Sequence, residues 1–337
     1  MRTIFLYGYG TGLTGKQPWW DEPWIEKPWL DNGRLEFRRD HGPSVENLYH
    51  EAAAIAKAHG LAPVLRGTQD ADGFGSLTLF RQVVEAHDYP FAEKGQVPTT
   101  FSPFVDTGAW GDVVSVPHGS NIPFDFANAD HRELIWTNVI QPFYTLFDEQ
   151  HPTSPTNPIR LERTPNNRLL VTFWSINPQV ASQGLVNQHA AQALLDHISD
   201  RMRSEGLGAP DCIVDTSWPR SINAYGMHNW YDPGSGKNWT THKYRNLVTG
   251  VAVPGFHDPP WSTFQPARVI PRNNGATLRT AFAGWRAAGV HYGFLESLTN
   301  IEESAGFYRS PHWGRSHMDL YLQIVRNHVD ATSEELA

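Results

Sequence analysis

The stretch that decides the fold runs Val186-Asn-Gln-His-Ala-Ala-Gln-Ala-Leu-Leu-Asp-His-Ile-Ser-Asp-Arg-Met202. Val186, Ala190, Leu194, Ile198 and Met202 recur every fourth residue, which is the spacing of one apolar helix face. The apolar run Leu169–Trp174 precedes this helix, and a second run, Cys212–Asp215, follows it. A strand, a helix and a strand in this order predict a βαβ unit with two parallel strands.

The same alternation extends over most of the chain in both directions. Seven segments are predicted as strands: Ile4–Tyr9, Ala62–Arg66, Thr99–Val105, Leu169–Trp174, Cys212–Asp215, Leu247–Val253 and Val290–Leu295. Helices are predicted over Val45–His59, Leu77–Ala86, His131–Phe147, Val186–Met202, Ala276–Ala288 and His317–Val329. Seven strands are close to the eight of a (β/α)8 TIM barrel, so we expect residues 1–337 to form one α/β barrel domain. The first and last strands should then be neighbours, because closing a barrel brings them together.

An open, doubly wound sheet is the alternative to the barrel. Such sheets usually carry a glycine-rich phosphate turn after the first strand. The candidate here, Gly8-Tyr-Gly-Thr-Gly, lacks the spacing of the dinucleotide fingerprint and is not followed directly by a helix. We therefore expect no cofactor.

Composition excludes several classes of protein. Among 337 residues, 40% are hydrophobic and 18% charged, which excludes a disordered chain. The net charge of −8, without a basic patch, argues against nucleic acid as a partner. Apolar runs are too short for a membrane span. Met1–Tyr9 lacks the features of a signal peptide, so the chain as given is expected to be cytoplasmic, or secreted or periplasmic if a leader was removed.

Aromatic content points to a carbohydrate partner. The chain has 13 Trp, 11 Tyr and 17 Phe, together with 28 Gly and 25 Pro, which is typical of long ordered loops that carry ring faces. Sugars stack their C–H faces on such rings. The alternative is a core that uses Trp for bulk.

Polar and aromatic residues follow nearly every predicted strand. In a barrel these positions line the active site, because it lies at the carboxyl ends of the strands. Asp215 and Glu296 end two strands and are candidate catalytic carboxylates. The expected substrate-binding residues are Asp72, Trp110, Trp174, Asn177, Trp218, His228, Trp230, His257, Trp261 and Asn300. For any single loop Asp, helix capping or turn formation is the competing interpretation.

The sequence gives little support for a metal site or for a nucleophilic cysteine. His228, His257 and His291 lie near strand ends, but no HxH or HExxH spacing is present, so we expect no metal. The single cysteine, Cys212, precludes a multi-cysteine site and is expected to be packed rather than nucleophilic.

The run from Tyr244 to Val329 resembles the C-terminal part of the glycoside hydrolase family 99-like barrels. The resemblance rests on the loop Pro254-Gly-Phe-His-Asp258, the helix that follows it, and the segment Ser297-Leu-Thr-Asn-Ile-Glu-Glu303-Ser. It implies a (β/α)8 fold and action on a glycan, with Glu303 as the general acid. Asn300 stands where the family has its first glutamate, so Glu296 or Asp215 would supply the second carboxylate.

Three functions follow from this pattern. The first is a glycoside hydrolase, which needs two carboxyl groups across the scissile bond. The second is a polysaccharide lyase, for which Arg66, Arg220, Arg245 and Arg309 could neutralise a uronate. The third is a glycan-binding barrel without catalysis.

Overall fold

The structure is a computed structural model of the chain. It describes residues 1–7, 64–67, 100–105, 125–141, 144, 160–176, 186–258, 262–296, 304–307, 320–321, 323–325 and 327–328. The helices predicted over Val45–His59 and Leu77–Ala86 lie outside these residues.

A mixed α/β architecture is built on one large sheet with eight parallel strands. In chain order these strands are β1 (Arg2–Tyr7), β2 (Val64–Gly67), β3 (Thr100–Val105), β5 (Leu170–Phe173), β6 (Asp211–Asp215), β7 (Gly226–His228), β9 (Leu247–Ala252) and β12 (Tyr292–Leu295). Their order across the sheet is β7-β6-β5-β3-β2-β1-β12-β9. β1 pairs with β12 in parallel, with Ile4 opposite Phe294, which confirms that the first and last strands are neighbours.

Four further strands complete the sheets. The short β4 (Arg160–Leu161) pairs in parallel with β3, and β8 (Trp239–Tyr244) forms an antiparallel hairpin with β9. β10 (Phe256–His257) and β11 (Val269–Ile270) form a separate two-stranded hairpin.

β7 corrects the sequence interpretation, which treated this segment as loop. Gly226–His228 pairs in parallel with β6, and Asp215 lies opposite His228. The strand is only three residues long, too short to show an alternating pattern. It is the eighth parallel strand, one more than the sequence predicted.

β7 and β9 meet at the two ends of the parallel series. The described residues of the two strands form no backbone ladder with each other, but the Thr249 hydroxyl donates a hydrogen bond to the Met227 carbonyl at 2.6 Å. A side-chain contact accompanies it, because a Cβ at Gly226 would come within 2.4 Å of Leu247. The two strands therefore lie side by side.

Three helices are described with defined ends. α1 spans Ala129–Ile135 and continues as a π-helical turn over Trp136–Ile140. α2 spans Gln188–Ser204, and the Asn187 side chain caps it by accepting from the Ala190 amide at 2.9 Å. α3 spans Ala276–Ala287, and the described residues from 320 to 328 are also helical. In the described part of the chain, none of the helices is long and apolar enough to cross a membrane.

Two apolar cores lie on opposite faces of the sheet. The larger one packs α2 and α3 against strand residues such as Val171 and Val214. The second contains Ile4, Phe104 and Ile213 and their neighbours on the other face. Since successive strand residues face opposite sides, this division fixes which residues point to each face. Cys212 is buried in the larger core, and burial raises its pKa to about 12, so it is packed as expected.

Trp285 of α3 packs on a flat surface made by two glycines. Gly250 of β9 and Gly293 of β12 are register partners. A Cβ at Gly250 would lie 2.5 Å from the Trp285 ring, and one at Gly293 would lie 2.3 Å from it. The fully buried indole therefore needs glycine at both positions.

Gly250→Ala should destabilise the fold because the added methyl cannot fit under the Trp285 ring. Overpacking of this kind costs about 1–3 kcal/mol, measured as a fall in the free energy of unfolding in urea. The matched control is Gly250→Ala in a Trp285→Leu background, where the same methyl should lower the free energy of unfolding much less. An equal decrease in the two backgrounds would contradict the packing described.

His328 makes stability depend on pH. Its ring is 3% exposed, stacks on Phe282 at 3.9 Å, and its Nδ1 accepts from the Arg286 guanidinium at 3.1 Å. Burial, with added repulsion from Arg286 and the N-terminal ammonium, lowers its pKa to about 3. The folded protein thus resists protonation at a pH where the unfolded chain accepts it.

The free energy of unfolding should therefore decline as the pH falls from about 6.5, the pKa of an unfolded histidine, towards 3. The contribution of His328 to the free energy of unfolding is fully present above that pH range. Within the range, the slope that it adds is at most about 1.4 kcal/mol per pH unit. His328→Phe should flatten the slope in urea titrations at several pH values, whereas His189→Gln, at an exposed position, should leave it unchanged. An unchanged slope in His328→Phe would refute the assignment.

Candidate active site

The carboxyl ends of the parallel strands bring polar and aromatic residues to one edge of the sheet. Asp215 follows Ile213 of the second core by two positions, and Glu296 follows Phe294 of the same core by two. Since side chains alternate along a strand, both carboxylates face the same side as the second core. Both residues are buried, at 5% and 3% exposure.

Two tryptophans form the aromatic part of this edge. The rings of Trp174 and Trp230 lie 3.9 Å apart between centroids, with 50° between their planes. Phe104 contacts both, at 5.7 Å and 6.2 Å. Both indoles are only partly buried, so part of their surface remains available to a ligand.

His228 lies beneath the tryptophan pair. Its ring is 1% exposed and meets Trp230 edge-on at 5.9 Å. Nε2 lies 2.8 Å from the Phe173 carbonyl oxygen, and Nδ1 lies 3.5 Å from Asp215 Oδ2. Burial lowers the pKa of His228, and this outweighs the opposite effects of Asp215 and the Phe173 carbonyl. The buried ring therefore packs beneath Trp174 and Trp230 and does not present an N–H group to a sugar.

Hydrogen bonds join the loops that follow β5 and β6. The Trp218 indole donates to the Trp174 carbonyl at 2.9 Å, and the Ile176 amide donates to the Ser217 hydroxyl at 2.8 Å. The Ser217 amide donates in turn to Asp215 Oδ1 at 2.8 Å. These contacts hold the backbone of Trp174 in place.

Trp218 does not line a cleft. It is 1% exposed and packs between Phe126 and Phe173, at 5.3 Å from each, in the core between helices and sheet. Its burial fits the alternative interpretation, in which tryptophan provides bulk.

Glu296 begins the segment after β12, and a buried arginine holds the far end of that segment. The Arg272 guanidinium donates to the carbonyls of Ser304 and Gly306, at 2.8 and 3.0 Å, and lies 4.7 Å above the Tyr321 ring. Residues 304–307 are buried. The segment is thus fixed at both ends, at the Glu296 amide, which donates to the Ala252 carbonyl at 3.1 Å, and at Ser304.

The β10–β11 hairpin carries His257 and is clamped by an ion pair. Arg268 contacts both oxygens of the buried Asp258, with a shortest distance of 2.7 Å. Burial raises the pKa of Asp258, but the hydrogen bonds and charge of Arg268 outweigh burial, so the net pKa is lowered. Arg268 also covers the half-exposed ring of Phe264 at 3.6 Å. His257 is oriented by a contact of 2.8 Å between its Nδ1 and the Asp258 carbonyl.

Five of the predicted site residues lie together along one edge of the sheet. Trp174, Asp215, His228, Trp230 and Glu296 all lie at the carboxyl edge of the sheet. Trp218 lies in the helix-side core and His257 on the β10–β11 hairpin, and the other six predicted site residues lie outside the described residues: Asp72, Trp110, Asn177, Trp261, Asn300 and Glu303.

The sequence did not point to two residues that contact the side chains at this edge of the sheet. Ser217 lies within Asp215-Thr-Ser-Trp218, and its position two residues after an Asp is a turn signal that could have identified it. Phe104 precedes Val105 on β3, and because strand residues alternate, it lies on the face of the sheet opposite the helix-side core. In the described residues, histidine, cysteine and carboxylate side chains form no group of three or more suited to a metal ion.

Comparison with known proteins gives a family and a fold. A family model described as "Domain of unknown function (DUF5010)" matches residues 39–337. No curated protein sequence gives a significant match.

Two solved structures of a GH99 endo-α-mannosidase from Bacteroides thetaiotaomicron are similar to the chain. One, in complex with BIS-TRIS-propane, has a TM-score of 0.59 at 12% identity and covers 98% of this chain and 97% of its own. The other has a TM-score of 0.55 at 13% identity, with the same coverage of both chains. These matches show that the chain shares its fold with members of the family that the sequence resemblance named.

Proposed function

The chain belongs to the DUF5010 family, and from the site on its sheet we propose that it is a glycoside hydrolase that cleaves a glycosidic bond in a poly- or oligosaccharide. The observation that carries this proposal is the presence of two buried carboxylates, Asp215 and Glu296, and of the Trp174–Trp230 pair at the carboxyl edge of the sheet. The fold shared with endo-α-mannosidases supports it.

We infer further that residues 1–337 form one domain in which the eight parallel strands close into a (β/α)8 barrel. The continuous order from β7 to β9 and the Thr249–Met227 hydrogen bond between its two ends support closure. In a closed barrel the inner face of the sheet opens only at its ends, so the carboxyl edge becomes the mouth of a cleft.

Two carboxyl groups with different protonation would do the chemistry. One protonates the oxygen of the leaving sugar, and the other, ionised, assists attack from the opposite side of the ring. Glu303 is the proposed acid, one residue before the Ser304 carbonyl that Arg272 holds. Glu296 or Asp215 is the proposed second carboxylate.

Sugar rings would be held by aromatic faces and polar side chains. Trp174 and Trp230 offer the described aromatic surface. Further contacts are proposed from Asp72, Trp110, Asn177, His257, Trp261 and Asn300. Release of reducing ends without a rise in ultraviolet absorbance would indicate hydrolysis, whereas a rise from an unsaturated uronate would indicate a lyase. Binding without either signal would indicate a glycan-binding barrel.

Glu303→Gln should lower turnover of a natural glycan by about 100-fold or more, because the variant keeps the shape of the acid and loses its proton. The loss should be much smaller on a substrate with a good leaving group, which needs little protonation. Reducing-end release measures the first rate and chromophore release the second. Glu302→Gln is the matched control and should have a mild effect, and near-full activity of Glu303→Gln on the natural glycan would exclude Glu303 as the acid.

A further inference from the structure

The β10–β11 hairpin carries both of the large apolar side chains that are exposed in the described part of the chain. Phe264, in the loop between the two strands, is 50% exposed, and Val269, on β11, is 51% exposed. Exposed apolar residues scattered singly over a surface are ordinary, whereas a group of them indicates a binding surface. Two on one short hairpin therefore direct attention to this hairpin.

The ring of Phe264 is held with one face covered and the other open. The Arg268 guanidinium lies over the ring, 3.6 Å from its centroid. Arg268 is itself fixed, because its Nε and Nη2 donate to the Asp258 carboxylate at 2.9 and 2.7 Å. The Phe264 amide also donates to the Ser262 hydroxyl at 3.3 Å. Since the guanidinium occupies one face, the exposed area of the ring is its opposite face and its edge.

Aromatic contacts connect this hairpin with the tryptophan pair. Trp230 lies 5.7 Å from Tyr231, and Tyr231 lies 5.8 Å from Phe256, between ring centroids. The Arg268 guanidinium lies 5.6 Å from the Phe256 centroid and so joins this series to Phe264. Tyr231 and Phe256 are buried in the second core. The exposed surfaces at the two ends, Trp230 and Phe264, are therefore held by one continuous packed layer.

The chain path places the hairpin at the carboxyl edge of the sheet. β9 runs parallel to the other strands of the barrel series and ends at Ala252, and only residues 253–255 separate it from β10. Ala252 is also the residue whose carbonyl accepts from the Glu296 amide. Phe264 thus belongs to a segment that leaves the sheet beside the candidate carboxylates.

The hairpin presents no net charge to a ligand. Between residues 256 and 270 the acidic and basic side chains, histidine apart, are Asp258 and Arg268, and these two form an ion pair at 2.7 Å. An open aromatic face beside a compensated charge is suited to the C–H face of an uncharged sugar ring. An anionic sugar would gain little from an arginine whose charge is already neutralised by a carboxylate.

We propose that Phe264 is a second sugar platform, distal to the Trp174–Trp230 pair, and that the ligand is a glycan chain of uncharged sugars long enough to contact both. This inference rests on the proposed function, because the tryptophan pair is the proposed sugar site. A protein partner is less well suited, since stable protein interfaces bury about 1,600 Å² and two exposed apolar side chains supply a small part of that area.

Affinity electrophoresis tests binding without requiring cleavage. The full chain is run in native gels that contain mannan, dextran, xylan or polygalacturonate. We expect at least one of the three neutral polysaccharides to retard the wild type, and Phe264→Ala to raise the Kd for it by about tenfold, because stacking removes the ring from water. Phe264→Tyr keeps the flat face and should bind like the wild type. Phe264→Leu is apolar without a flat face and should lose affinity as Phe264→Ala does.

Three results would overturn the proposal: no retardation by any neutral polysaccharide, equal retardation of the wild type and Phe264→Ala, or full affinity in Phe264→Leu. The last result would show that any apolar side chain serves, as in docking to a protein. Phe264→Ala should unfold within about 2 °C of the wild type, because surface substitutions change stability little, so a loss of affinity reports on the ring.

Cleavage gives a second readout, which depends on the hydrolase function. Oligosaccharides of graded length are prepared from the polysaccharide that the wild type binds. Phe264→Ala should lower kcat/KM by about tenfold on the long ones and leave it unchanged on the shortest one that the wild type cleaves. An equal loss at every length would contradict a distal platform. If the wild type cleaves no glycan, the hydrolase proposal fails, whereas the gels still decide the role of Phe264.

Discussion

The Trp285 indole lies across Gly250 and Gly293, and the arrangement of the strands depends on this contact. A ring that occupies the place of two Cβ atoms forces those two residues to lie side by side and to face the helix layer. β9 and β12 are thereby held in register, and β1 joins the same register through Ile4 and Phe294. The first strand of the chain thus pairs with the last one described.

The same contact decides which side chains reach the site. With Gly293 facing the helices, Phe294 and Glu296 must face the other side, because strand residues alternate. Asp215 reaches that side by the same rule, since Val214 packs in the helix-side core. Buried carboxylates are costly unless they are hydrogen-bonded or protonated. Asp215 meets this condition through the hydrogen bond that it accepts from the Ser217 amide.

Sequence periodicity was sufficient for the long elements and insufficient for the short ones. The apolar stripe from Val186 to Met202 predicted α2, and the alternation predicted the parallel sheet and the meeting of its first and last strands. The sequence did not predict β7, because a strand of three residues, Gly226–His228, is too short to show an alternating pattern of apolar and polar residues. Trp218 was expected in the cleft because it follows a strand, but its indole N–H bonds back to Trp174 and its ring enters the core. Position at a strand end is readable from sequence, whereas the direction of a loop side chain depends on partners distant in the chain.

A crystal structure of Glu303→Gln with an intact oligosaccharide tests most directly whether the carboxyl edge of the sheet cleaves a glycan. We expect sugar rings on Trp174 and Trp230, with the glycosidic oxygen within hydrogen-bonding distance of residue 303 and the carboxylate of Glu296 or Asp215 on the opposite side of the scissile bond. A glycan bound away from these tryptophans, or one whose scissile bond does not lie between residue 303 and one of those two carboxylates, would contradict the proposed function.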